Sequence, residues 1–260
     1  IWKYSKEHGR HDLPWRKTTD PYHILVSEIM LQQTQVDRVV PYFTTWMKRY
    51  PTPKKLSVAP LSDVLTLWQG LGYNRRAKGL WEASKVITDT YKGVLPTDPL
   101  ELEKLPGVGP YTARAVAAFA YNQDVIFIET NIRTVIAHHF YPGKTHVSDD
   151  EIRGTLTEVF PKGRSREWYG ALMDYGSFLK RSGIKLNATK KGYKKQSAFE
   201  GSDRQARGAI LRSLIDTPRT RTALSRVLGT ERKEQALIQL DKLLAERLVE
   251  KKGTQYALPN

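Results

Sequence analysis

The chain has 260 residues, room for one large or two moderate domains with a substantial core. Lys and Arg outnumber Asp and Glu by 42 to 27, a net charge of +15, and a chain this basic expects a polyanion, nucleic acid first. The absence of cysteine excludes disulfides, thiolate zinc sites and cysteine-ligated iron–sulfur clusters, and no apolar run reaches the roughly 18–20 residues of a membrane span. No signal peptide is visible; the chain starts at Ile1, so residues are expected to precede it, and the expected setting is intracellular, in the cytoplasm with the DNA.

Helical periodicity dominates residues 1–180. Over 22–50, apolar residues recur at Ile24, Leu25, Ile29, Leu31, Val36, Val39, Val40, Phe43 and Met47, a rhythm expected to break at Pro41. Ile24, Glu28 and Leu31 are spaced i, i+4, i+7 and share one helix face. A carboxyl group desolvated there has a raised pKa and can act as a general acid; a Glu paired with Arg or Lys at a core rim is the other reading. Further helices are predicted at 61–69, 75–91, 100–104, 110–121, 130–140, 149–159 and 166–179, separated by short Gly or Pro loops. Trp15 and Trp68 read as core. No strand alternation appears, which argues for an all-α domain.

Residues 105–131 combine two features. Leu105-Pro106-Gly107-Val108-Gly109-Pro110 makes a tight turn that aims backbone N–H groups outward and opens a helix at Pro110, a seat for phosphate. Downstream, Glu129 lies between Phe127, Ile128 and Ile132, a carboxylate expected in apolar surroundings. Two carboxylates beside a sugar–base bond form a glycosidase pair, one protonating the leaving group and the other stabilising an oxocarbenium-like cation. The histidines form no ligand motif, since His138 and His139 are adjacent and diverge from one helix, so no metal site is predicted.

Residues 181–200 read as a basic linker, solvated or strapped along DNA, with seven Lys or Arg over 180–195. Residues 201–260 hold 12 basic and 7 acidic residues and show helical periodicity at 204–215, 220–227 and 231–247, then a hairpin over 248–258. This is the order of a winged-helix-like module, although Glu231, Glu234, Asp241 and Glu246 weaken insertion of the third helix into a DNA groove.

On Leu13-Pro14-Trp15-Arg16, Ser27-Glu28-Ile29-Met30-Leu31-Gln32-Gln33-Thr34, Trp68-Gln69-Gly70-Leu71-Gly72-Tyr73 and the 105–112 turn, residues 1–180 resemble the helix-hairpin-helix base-excision DNA glycosylases, closest to the MutY-type adenine glycosylases. The resemblance implies a glycosylase domain over 1–180 with two helical lobes and an active site between them. It implies that Glu28 protonates a purine at N7, that Glu129 stands where the family's aspartate stabilises the sugar cation, and that Asn131 lies beside it. Tyr111 stands where bifunctional relatives carry a nucleophilic lysine, which implies a monofunctional enzyme without strong lyase activity. Gln33 and Tyr73 match residues that wedge into the duplex where the base is flipped out, with Gln32, Thr34, Arg75, Tyr111 and Thr112 as further DNA contacts. Gly107, Val108 and Gly109 match the hairpin whose amides hold the DNA backbone, often with a bound monovalent cation. The implied substrate is double-stranded DNA with adenine mispaired to guanine or 8-oxoguanine, and a monomer without cofactor is expected. Another target on the same fold (a deaminated or alkylated purine, or T or U opposite G) and a non-catalytic DNA-binding protein are the alternatives.

Three departures from the family pattern stand out. The four-cysteine iron–sulfur loop is replaced by the basic strap, whose Lys190, Lys191, Lys194 and Lys195 are expected to supply its DNA-facing charge. The C-terminal domain that reads 8-oxoguanine is replaced by the winged-helix-like module. Glu129 stands in place of Asp, one methylene longer.

Overall fold

The computed structural model describes residues 1–144, 146–184 and 198–260; the strap lysines at 190, 191, 194 and 195 lie outside them. The first half of the chain runs through α1 (Trp2–His8), a 3-10 turn at Pro14–Arg16, α2 (Pro21–Leu31), α3 (Val36–Arg49), α4 (Pro53–Ser57), α5 (Leu61–Leu67) and α6 (Arg75–Asp89). The second half adds α7 (Pro99–Leu102), α8 (Pro110–Tyr121), α9 (Thr130–Phe140), α10 (Asp149–Glu158) and α11 (Ser165–Arg181). The C-terminal segment contains α12 (Asp203–Ser213), β1 (Arg219–Thr220), α13 (Arg221–Ser225), α14 (Lys233–Ala245), β2 (Glu250–Lys252) and β3 (Gln255–Ala257). The fold is mainly helical, as expected.

The break in the first long apolar stretch falls at 32–35, not at Pro41, which lies inside α3. Gln32-Gln33-Thr34-Gln35 offers no apolar side chain to bury, and Gln33 takes a left-handed backbone with φ +56°. Across Pro41 the helix loses one backbone donor. It continues because Val39, Phe43 and Trp46 are buried on one face, and the Thr45 hydroxyl donates to the Pro41 carbonyl at 3.0 Å.

Two compact units form. The first comprises Ile1–Glu28, Leu95–Lys104 and Val108–Lys195; the second comprises Ile29–Val94, Leu105–Gly107 and Gln196–Asn260. In the first, α11 packs against α9, α8 and α1. The alanines of α8 at 113, 115, 117 and 118 are fully buried, which suits close helix contact. Rings tie α1 down: Trp2 lies 5.3 Å from Trp168, and Tyr4 lies 4.9 Å from Phe178. A capping box of Ser148 and Glu151 starts α10.

In the second unit α6 buries Ala77, Leu80, Ala83 and Ile87 against α4 and α5, and Trp46 meets Trp68 edge to face at 5.5 Å. Gly107, with φ +76°, comes so close to Gly79 of α6 that a Cβ there would lie 3.2 Å from the Gly79 Cα, so the two glycines let backbone meet backbone. The C-terminal segment packs α12 and α13 on α14. Its expected hairpin is β2–β3, and the short strand β1 adds to it, giving an antiparallel sheet of order β1-β3-β2 with Arg219 and Lys251 both paired to Tyr256. Two of the four acids expected on the third helix are paired within the unit: Asp241 with Arg221 at 2.7 Å, and Glu246, just past α14, with Arg75 and Arg207. Among the described residues no helix is long and apolar enough to cross a membrane.

Candidate active site

The first unit gathers Glu28, Tyr111, Glu129 and Asn131. Glu28, on α2, is only 7% exposed. Burial pushes its carboxyl up from 4.5 to about 7; the Tyr111 hydroxyl, donating to Oε2 at 3.1 Å, pulls the other way, the Glu129 charge adds to the rise, and Arg16 opposes it. A carboxyl poised near neutrality holds a proton it can give up, as a general acid must. Tyr111 starts α8 one residue after Pro110 at its first position, with Gly109 as the N-cap. Its ring packs edge to face on Phe127 at 5.6 Å, and Phe127 stacks on Tyr169 at 3.9 Å. Burial and the nearby carboxylates hold the Tyr111 hydroxyl well above its usual range, so it acts as a donor and not as an anion. Removing that donor with Tyr111→Phe is expected to raise the Glu28 pKa and move the alkaline limb of the pH–rate profile to higher pH. An unmoved limb would argue against the contact.

Glu129 is not in the apolar setting expected of it. It is half-buried and forms the N-cap of α9, accepting from the backbone N–H of Asn131 at 2.6 Å and of Ile132 at 3.0 Å. The Asn131 amide and Thr130 hydroxyl also donate to Oε2, at 3.3 and 3.1 Å. Lys180 donates to the Thr130 hydroxyl at 2.7 Å, completing a relay toward the carboxylate. The apolar neighbours in sequence face elsewhere; Phe127 goes into the ring stack. A helix N-terminus with four donors holds an anionic carboxylate in one place.

An unexpected network lies behind these groups. Asp174 of α11, 2% exposed, accepts from Arg10 at 2.7 Å and from both guanidinium nitrogens of Arg16 at 3.2 Å, so it fixes the cation that acts on Glu28. Gly176, one helical half-turn on, lies directly against Asn131: a Cβ there would be 2.4 Å from the Asn131 carbonyl oxygen.

The second unit holds another assembly. Arg76 of α6 donates to the carbonyls of Ile29, Met30 and Gln32 at 2.7 to 2.9 Å and to those of Leu71 and Gly72 at 3.2 and 3.1 Å, clamping two loops. Those loops carry Gln33 and Tyr73, both with left-handed backbone, φ +56° and +49°. Burial pulls Arg76 down to about 10, so it stays charged at neutral pH. Arg76→Met is expected to orphan these acceptors and lower stability by about 2–4 kcal/mol, read by urea unfolding; an unchanged midpoint would refute the clamp.

The model of the HhH-GPD superfamily of base excision DNA repair proteins matches residues 26–162. This chain belongs to that superfamily. It is 36% identical to the adenine DNA glycosylase of Mycolicibacterium smegmatis, across 94% of this chain and 89% of that one. It is equally identical to the adenine DNA glycosylase of Mycobacterium tuberculosis, across 98% and 91%. The human adenine DNA glycosylase is 35% identical across 67% of this chain and 34% of its own length. Among solved structures, a thermostable thymine-DNA glycosylase superposes with TM-score 0.63 at 25% identity, covering 74% of this chain and 92% of that one. An endonuclease III–DNA complex shares the fold, with TM-score 0.56 at 21% identity, covering 73% and 91%.

Within this superfamily member the sequence-predicted DNA-contact residues have varied settings. Gln33, Gly107 and Gly109 are exposed, Gln32 and Tyr73 half-buried, and Val108 and Thr112 buried. The Thr34 hydroxyl accepts from Arg76, and Arg75 is exposed and paired with Glu246. With no cysteine, these 260 residues do not fit an iron–sulfur cluster. Among the described residues no group of three His, Asp or Glu is placed to hold a metal ion.

Proposed function

We propose that this protein is a monofunctional DNA glycosylase that hydrolyses the N-glycosidic bond of adenine mispaired with guanine or 8-oxoguanine in double-stranded DNA. The observation that carries the reading is a buried carboxyl, Glu28, pushed up to about 7, which accepts from the Tyr111 hydroxyl at 3.1 Å and has a second carboxylate, Glu129, near enough to add to that rise. Glu28 gives its proton to N7 of the flipped base as the bond to C1′ breaks, and the bonding electrons leave with the base. Glu129, fixed by the α9 amides, faces the positive charge that develops on the sugar; water then adds at C1′, and the products are free adenine and an abasic site. Tyr111 has no amine to form a Schiff base, in keeping with monofunctional chemistry. The adenine glycosylases at 36% identity support adenine as the target.

The likeness to a thymine-DNA glycosylase favours one second reading, thymine opposite guanine. Against it, a pyrimidine has no N7 for Glu28 to protonate. A single-turnover panel of A:G, A:8-oxoguanine, A:C, T:G and U:G duplexes separates the two. Adenine release lost in Glu28→Gln and in Glu129→Gln is the expected result; thymine release, or normal activity in both variants, would overturn the proposal.

Lys190, Lys191, Lys194 and Lys195 join the 1–180 domain to the 201–260 module, and we place them along the DNA backbone. Neutralising all four is expected to weaken DNA binding and to flatten its salt dependence by roughly one in slope for each lost phosphate contact; an unchanged slope would exclude that role.

A further inference from the structure

In the first unit, one face of α11 meets the start of α9. Gly176 and Lys180 are spaced i, i+4 on that face: a Cβ on Gly176 would touch Asn131, and the Lys180 ammonium donates to the Thr130 hydroxyl at 2.7 Å. The neighbouring Arg181 turns instead to Ser177 of its own helix, at 3.0 Å. We infer that Lys180 is a positioning residue of the reaction: through Thr130 it sets the direction of the Glu129 oxygen that faces the sugar. The inference rests on the glycosylase reading above.

The two Glu129 oxygens are held unequally. Oε1 accepts from two backbone amides of α9, at 2.6 and 3.0 Å, and the helix fixes both. Oε2 accepts from two side chains, the Thr130 hydroxyl at 3.1 Å and the Asn131 amide at 3.3 Å. Side chains turn about single bonds, and the glutamate stem has one more of them than aspartate, so Oε2 has a freedom that Oε1 lacks. A hydroxyl can donate or accept, whereas an ammonium only donates. Against Lys180 the Thr130 oxygen must therefore accept, and its proton is directed away from the lysine, toward Oε2. A hydroxyl that accepts from a cation is also polarised into a stronger donor. Lysines near a helix C-terminus commonly reach out to water. Lys180 is instead half-buried over the start of α9; burial pulls its amine below the usual lysine range, and the Glu129 charge opposes that fall. A carboxylate that meets charge developing at C1′ must be in place beforehand, because turning it during the reaction adds to the barrier. Glu129 takes its place from α9 and its aim from α11.

Single-turnover adenine release at saturating protein tests the relay, with binding to a duplex holding a tetrahydrofuran abasic analogue measured alongside. Lys180→Met is expected to slow release by roughly 10- to 100-fold, the scale of a misplacement approaching 1 Å, and to leave the salt dependence of binding close to wild type. Lys180→Arg, also a donor without an acceptor, is expected to recover most of the rate. Thr130→Val is expected to lose as much as Lys180→Met, and Thr130→Ser, which keeps the hydroxyl, almost nothing. In the Thr130→Val background, Lys180→Met is expected to cost little more, since the two residues act as one unit. Losses that multiply in the double variant, or an equal loss in Lys180→Arg, would overturn the inference. So would a flatter salt slope with an unchanged saturated rate, which would make Lys180 a phosphate contact. A wild type that releases no adenine would sink the glycosylase reading and this one with it; an active wild type matched by Lys180→Met would sink this one alone.

Discussion

Glu28→Gln is expected to abolish adenine release and, at the same time, to stabilise the fold above neutral pH. General-acid catalysis contributes about 10²–10⁴-fold, so single-turnover release should fall by roughly 10³-fold or more. The stability effect follows from the same burial. The Glu28 carboxyl titrates near 7 in the folded protein, against 4.5 when exposed, so between those values the folded state binds more protons than the unfolded state. Stability from this group is therefore full below about pH 4.5 and is lost as pH rises through 7, by roughly 3 kcal/mol in total. Glutamine, an uncharged isostere of the acid form, escapes that loss. Urea unfolding should give nearly equal midpoints for the two proteins at pH 5 and a more stable variant at pH 8, while the wild-type rate declines above pH 7. A stability difference that does not grow with pH would show that Glu28 is not desolvated. The active site then holds a group selected for chemistry at the expense of stability.

Gly176→Ala should be nearly as damaging from outside the chemistry. The added Cβ would fall 2.4 Å from the Asn131 oxygen and 2.7 Å from its carbonyl carbon, both backbone atoms that no side-chain rotation can move aside. The N-terminus of α9 must shift, and with it the amides that hold Glu129. Overpacking of this kind costs about 1–3 kcal/mol, and a misplacement near 1 Å can cost roughly 100-fold in rate. Gly208, in the middle of α12 with nothing within 4 Å of a built Cβ, is the control: alanine there should be neutral or stabilising by up to about 1 kcal/mol. Lower stability with an undiminished rate in Gly176→Ala would remove Gly176 from the positioning of Glu129.

The sequence made some of this visible and hid the rest for physical reasons. The burial of Glu28 was anticipated from the face it shares with Ile24 and Leu31, yet α2 buries every residue from Ile24 to Met30 and leaves Leu31 half-buried, so the whole helix rather than one face lies in the core. Glu129 was misread because its neighbours in sequence are apolar, yet at a helix start consecutive residues diverge, and the carboxylate turns back to cap α9. Pro41 misled because the cost of one missing backbone bond is small beside the burial of Phe43 and Trp46. Asp174 and Arg76 left no local trace: the first meets arginines 158 and 164 residues away, and the second joins carbonyls of two loops some 40 residues apart.

The interleaving of the two units also governs how the chain can fold during its synthesis. The first unit begins at Ile1 but needs α11, whose Asp174 ties down Arg10 and Arg16; the second needs Gln196–Asn260 to join Ile29–Val94. The first unit cannot close as its own N-terminal part leaves the ribosome, so the usual order of N-terminal domain first does not apply to it. Within Ile29–Val94, by contrast, Trp46 meets Trp68 and α6 packs on α4 and α5, so these helices find their first partners close by in the chain. A chain cut before α11 is therefore expected to leave the first unit open, with Arg10 and Arg16 lacking Asp174.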